Sequence, residues 1–251
     1  MLNDYPRILA IAGSDSSGGA GIQADIKTVT MLGGYAMTAI TAVTAQNSLG
    51  LNAVEVLSPA MVAAQIDACL ADIGVDAVKI GMLGSPAIAE MVAGRLEALR
   101  VPIVFDPVMI ATSGAVLADA ATIAGFERLM RLATLTTPNV AELEALGGHD
   151  QMAARRLTYL AKGGDAPGDR IEDLLMIPDE TPHSFAAQRI ATRHTHGTGC
   201  TLASAIATYL GRGLPLAEAV DRARTFVRSA LRAAPGYGAG HGPLGHALAR
   251  G

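Results

Sequence analysis

From Arg7 onward the chain alternates short apolar runs with segments whose apolar residues recur every three or four positions, and this alternation leaves few folds open. A short continuous apolar run suits a strand buried on both faces, and the longer periodic segments suit helices with one buried stripe. Strand and helix repeated in turn imply parallel pairing, because a parallel neighbour needs a crossover and a helix supplies it. The expectation is a single α/β domain over residues 1–251. It would have three layers, a mainly parallel central sheet flanked by helices on both faces. With 50% apolar residues in 251, the chain can fill one such core.

The pattern predicts strands over 7–12, 35–46, 53–57, 77–82 and 103–105, with further strands near Leu135, Tyr159, Leu174 and Phe185. Helices are predicted over 20–32, from Pro59 with a Val62, Ile66, Cys69, Ile73 stripe, and over 86–99, 140–146, 198–210 and 216–233. The stretch 147–159 is short for a crossover: Met152 starts an amphipathic helix, yet Thr158 already opens the next strand. An omitted segment is the favoured expectation there, with a natural deletion as the alternative.

The net charge of −4 gives no basic footprint, so no nucleic-acid partner is expected and any anionic ligand must be held by local devices. No apolar stretch reaches membrane-spanning length, and residues 1–7 lack the layout of an export signal. The two cysteines, Cys69 and Cys200, match no disulfide or metal spacing. A reducing cytoplasm is the expected compartment.

Two glycine-rich segments carry most of the chemistry. In GSDSSGGAGIQAD (13–25) a strand turns into a helix, so backbone N–H groups are expected to face a ligand. Gly19, Gly21 and Ala24 also fit a dinucleotide fingerprint, but that needs an acidic residue about 20 positions on. None occurs between Ile26 and Val54. A plain tight turn is the other alternative, though Asp25 on the flank of the buried stripe needs a partner, and a ligand OH or NH would serve. In THGTGCTLASA (195–205), Gly197 and Gly199 precede a helix start that suits a transferring phosphoryl group. Cys200 in that first turn is a candidate for a thiol made acidic by the helix dipole, with small buried filler as the alternative.

In TTPNVAEL (136–143), Asn139 and Glu142 fit a capping box, and equally an arrangement holding Mg²⁺ through water at a strand's carboxyl edge. Lys162, one of only three lysines beside 16 arginines, precedes two glycines and fits a phosphate contact or a surface lysine. Gln46 and Met82 end apolar strands, and Asp106 in DPV follows another, where open α/β sheets bind ligands. His149, His183, His194, His241 and His246 read as surface or loop, and His196 as shaping the loop before Gly197. No P-loop, nucleophile elbow or zincin motif is present.

Together AGSDSSGGAGIQAD, TAVTAQNS, KIGML, FDPVM, TPNVAEL, KGGD and HGTGCTLASAI resemble the hydroxymethylpyrimidine/phosphomethylpyrimidine kinases of thiamine synthesis, in order from Arg7 to about Ala233. The resemblance implies a ribokinase-like fold, commonly dimeric, using ATP and Mg²⁺. It implies a pyrimidine among Gly13, Asp25, Gln46, Met82 and Val108, and a nucleotide served by Asp106, Asn139, Glu142, Lys162 and Thr198. Asp106 and Glu142 would serve the metal, and Cys200, with Gly197 and Gly199, would carry catalysis. Asp165 departs from the family's usual His. Pyridoxal kinase is the nearest rival, and a non-catalytic pyrimidine sensor the rival of another class.

Overall fold

A computed structural model describes residues 5–110 and 117–249, so the first four of the residues read for an export signal lie outside it. The elements in order are β1 (Arg7–Asp15), α1 (Gly21–Met31), β2 (Tyr35–Gln46), β3 (Leu51–Val56), α2 (Pro59–Asp72), β4 (Ala77–Ile80), α3 (Pro86–Leu96) and β5 (Ile103–Phe105). Then come α4 (Ala120–Leu132), β6 (Leu135–Thr136), α5 (Val140–Ala145), α6 (Gly148–Ala154), β7 (Tyr159–Ala161), β8 (Arg170–Met176), β9 (His183–Gln188), α7 (Thr198–Gly211) and α8 (Leu216–Arg232). A short 3₁₀ turn, His246–Leu248, follows.

All described strands join one sheet in the order β3-β2-β1-β4-β5-β6-β7-β8-β9. The six from β2 to β7 are parallel neighbours, while β3 at one edge and β8 and β9 at the other pair antiparallel. Alternate residues of each inner strand feed two separate cores. Leu9, Val78, Ile103 and Phe105 pack with residues of α2, α3 and α4, such as Ile66, Val92 and Phe126. Ile8, Ala77 and Val104 pack with residues of α1, α7 and α8, such as Val29, Ile206 and Phe226. The expected three-layer α/β architecture is the observed one.

Two details differ from expectation. β1 runs on to Asp15, because a register shift between Ala12 and Ser14 lets the strand pass its glycine and keep pairing with β2. α4 was not expected, although Asp119 caps it by accepting from the Thr122 N–H at 2.8 Å, ahead of the buried Phe126, Leu129 and Met130. The stretch 147–159, short for a crossover, holds one brief helix, α6. α5 and α6 act together, joined at Gly147 with φ +97°, and Arg156 at φ +54° turns the chain so that Tyr159 pairs in parallel with Thr136.

Candidate active site

The carboxyl ends of the parallel strands open on a cleft of about 730 Å³. Gly13, Gln46, Met82 and Val108 line one part of it, and Asn139, Glu142, Lys162 and Thr198 another. Asp106, Gly197, Gly199 and Cys200 line it as well. Asp25 alone of the candidate residues does not.

The first loop behaves differently from expectation. Its amides do not face a ligand but turn onto the buried Asp15 carboxylate, which accepts from the N–H groups of Ser17 (2.8 Å), Gly19 (3.1 Å) and Ala20 (2.8 Å). The His196 Nε2 meets the same carboxylate at 2.7 Å. These bonds hold the Asp15 carboxyl below its ordinary range in spite of burial. His196 therefore does more than shape its own turn: it fastens the last glycine-rich loop to the first. The fit is close, for a Cβ at Gly197 would stand 1.9 Å from the Gly19 carbonyl oxygen.

α7 begins at Gly197, whose φ of +88° is left-handed. The Thr198 hydroxyl donates to the Thr195 carbonyl at 2.7 Å and closes the turn. The helix start then divides its attention. A Cβ at Gly199 would stand 3.4 Å from both Asp106 Oδ2 and Lys162 Nζ, so this backbone lies against that pair. The next residue, Cys200, is half-buried, and its sulfur takes the Gly21 N–H. Gly21 in turn abuts the Gly13 carbonyl, and Gly13 faces the Met82 sulfur. Two consecutive residues of one helix turn thus touch the two halves of the cleft.

The thiol is not acidified as expected. Burial pushes Cys200 up to about 11, Asp25 and Asp106 push the same way, and Lys79 and the Gly21 amide oppose them. The helix start is too small a charge to outweigh desolvation among carboxylates.

In the other half, Asp106 Oδ1 accepts from Lys162 Nζ at 2.8 Å and from the Thr137 hydroxyl at 2.9 Å. Burial works against the Asp106 anion, yet Lys162 and Lys79 hold its carboxyl below the usual range. Lys162 Nζ is also 3.8 Å from Glu142 Oε2, so it is no surface lysine. Burial pushes Glu142 up to about 7 against the pull of Lys162. Asn139 and Glu142 do form a capping box, with bonds of 2.9 and 2.8 Å, and their side chains line the cleft too. The capping-box reading of that pair is the observed one, and it leaves both side chains at the cleft. Asp165 is exposed, and its loop is held instead by Arg189, which donates to the carbonyls of Gly164 (2.6 Å) and Gly168 (2.7 Å) and to that of Ala166.

Asp25 is a correction. It has no exposed surface, and its oxygens are taken by Lys79 Nζ, at 2.9 and 3.0 Å, and by the Ser204 hydroxyl at 2.7 Å. The partner that its position demands is internal. Lys79 carried a signal of its own, as a lone charge in the apolar run 77–82. Among the described residues no three His, Cys, Asp or Glu side chains cluster as a metal cage. Two carboxylates beside a lysine at the cleft still suit Mg²⁺, which keeps waters and substrate phosphates as its other ligands.

His246, expected at the surface, is buried, and its Nε2 is hydrogen-bonded to the Thr201 hydroxyl at 2.9 Å behind the start of α7. Burial, then Lys27, lowers its pKa from 6.5 to about 4. A neutral His favoured by folding gives stability that is complete above pH 6.5 and lost as the pH falls towards 4. The loss is up to roughly 3 kcal/mol. Urea midpoints of the native protein should fall over this window, and His246→Gln should flatten that part of the curve. An unchanged slope in the variant would refute this source.

A mainly parallel sheet with helices on both faces, and a glycine-framed helix start set beside a Lys–Asp pair at its carboxyl edge, define a ribokinase-like kinase. The chain belongs to the phosphomethylpyrimidine kinase family, whose model matches residues 15–245. It is 46% identical to the thiamine biosynthesis bifunctional protein ThiED of Geobacter sulfurreducens, matching 98% of this chain and 53% of that longer protein. It is 45% identical to a hydroxymethylpyrimidine/phosphomethylpyrimidine kinase of Synechococcus elongatus, over 96% of this chain and 97% of the relative. Among solved structures, the ADP complex of Bacillus subtilis pyridoxal kinase superposes with a TM-score of 0.87 at 31% identity, covering 97% and 98% of the two chains.

Proposed function

We propose that the chain transfers the γ-phosphoryl group of ATP to the hydroxymethyl oxygen of 4-amino-5-hydroxymethyl-2-methylpyrimidine. A second turnover acts on the phosphate of the monophosphate, giving the diphosphate for thiamine synthesis. The observation that carries this reading is the contiguity of Gly199 and Cys200. One lies against the Asp106–Lys162 pair, and the other reaches by way of Gly21 and Gly13 to Met82.

In the first turnover a bond forms between the substrate oxygen and the γ-phosphorus while the bond from that phosphorus to the bridging oxygen breaks, and ADP leaves. The alcohol proton passes to the Cys200 thiolate. Amides of the α7 start, around Gly197 to Cys200, stabilise charge on the moving group. Gly13, Gln46, Met82 and Val108 receive the ring. Asp106, Asn139, Glu142, Lys162 and Thr198 serve the nucleotide, and Asp106 and Glu142 would hold Mg²⁺. The metal, when bound, offsets phosphate charge. A homodimer working in the cytoplasm completes the proposal. Among the described residues no helix is long and apolar enough to cross a membrane.

ADP release measured with the pyrimidine alcohol, its monophosphate and pyridoxal tests the assignment. The highest kcat/KM is expected for the two pyrimidines, in keeping with the closer relatives. Fastest turnover of pyridoxal would move the chain to that activity, and tight pyrimidine binding without ADP release would make it a sensor.

A further inference from the structure

Lys79 is fully buried in the middle of β4, between Val78 and Ile80, which are buried too. Its ammonium is chelated by Asp25 of α1 at 2.9 and 3.0 Å, and Asp25 is fixed by Ser204 of α7 at 2.7 Å. Ser204 lies one helical turn beyond Cys200, on the same face of α7. The ammonium also sits under the turn that carries Met82 into the cleft, for a Cβ at Gly81 would stand 2.8 Å from Nζ. A buried ion pair gains little over an apolar pair of the same shape, so stability gives no reason for three polar groups here. Their position gives one.

We propose that Lys79, held by Asp25 and Ser204, is a positioning residue that acts through Cys200, a buried strut from β4 to α7 that fixes the thiol and places a permanent positive charge behind it. Four charged groups act on this thiol: Lys79 from β4, Asp25 from α1, Asp106 from the end of β5 and Lys162 from the end of β7. Lys79 is the largest of the influences that favour the thiolate. Asp25 opposes it, yet is what keeps the ammonium in place. The effect on turnover rests on the reading of Cys200 given above; the effect on the sulfur itself does not.

The test uses the unliganded full chain carrying Cys69→Ser, which leaves Cys200 as its one thiol, and follows iodoacetamide alkylation against pH. Lys79→Met is expected to move the profile up by about one pH unit or more. The same variant should lower kcat about tenfold or more while KM for ATP stays within about twofold. Asp25→Asn removes an anion and is expected to move the profile the other way. The double variant Lys79→Met/Asp25→Asn has no unpaired buried charge, so it reads the effect even if Lys79→Met alone does not fold, and its profile should stay above that of the parent. A merely structural pair would shift both single variants in the same direction or neither, or let the double variant recover the parent's profile and kcat. Any of these overturns the proposal. Should Cys200→Ala keep its turnover while the alkylation profiles shift as expected, the base assignment fails and the strut stands.

Discussion

Cys200→Ala is expected to lower kcat by roughly 10²–10⁴-fold, the usual contribution of a placed proton acceptor, while the protein still folds. The side chain is half-buried at the cleft wall and loses only a sulfur, so little core is disturbed. The pH profile sharpens the expectation. A thiol held up near 11 is mostly protonated at neutral pH, so the reaction it assists should quicken as the pH rises through 7 to 9. The alanine variant should be slow and nearly flat across that range. Steady-state ADP release at several pH values measures both features. Near-native turnover, or a slope that survives the substitution, would remove the thiol from the mechanism.

Gly197→Ala should be as damaging for a different reason. Its added methyl would meet the Gly19 carbonyl oxygen at 1.9 Å, and φ of +88° is a conformation that costs alanine on the order of 1–3 kcal/mol. The cheapest relief is for the two glycine-rich loops to part. Parting them breaks the His196–Asp15 contact and moves Cys200 away from the Gly21 amide. Displacements of this kind at a reacting centre are worth about 10²-fold in rate. Activity and thermal unfolding measured together should show loss of kcat with a lowered Tm. A variant with native kcat would mean that the loops can separate without consequence.

Much of this was legible in the sequence. The alternation of apolar runs with periodic segments was enough for the parallel sheet, and glycines at strand ends pointed to the cleft. What was hidden lay in partner choice. Asp25 needed a partner, and nothing local distinguished a ligand from Lys79, which sits 54 positions away. The amides of the first loop were expected to be free because the carboxylate that takes them, Asp15, falls inside the same glycine-rich run. Cys200 was expected to be acidic because a helix start can be read from spacing, whereas burial among Asp25 and Asp106 requires three separated segments to meet. The brevity of the stretch 147–159 was visible in the spacing, whereas its division into α6 and the turn at Arg156 depends on backbone angles that spacing does not show.

The contact between Asp15 and His196 spans 181 positions. A ribosome must therefore deliver most of the polypeptide before the last glycine-rich turn can dock on the first. Until then Asp15 can gather its own loop amides, but the cleft lacks one wall. Nascent fragments that stop short of this point lack that wall, so the cleft is completed only once His196 has been made. The order of synthesis thus makes the cleft a late product of the chain.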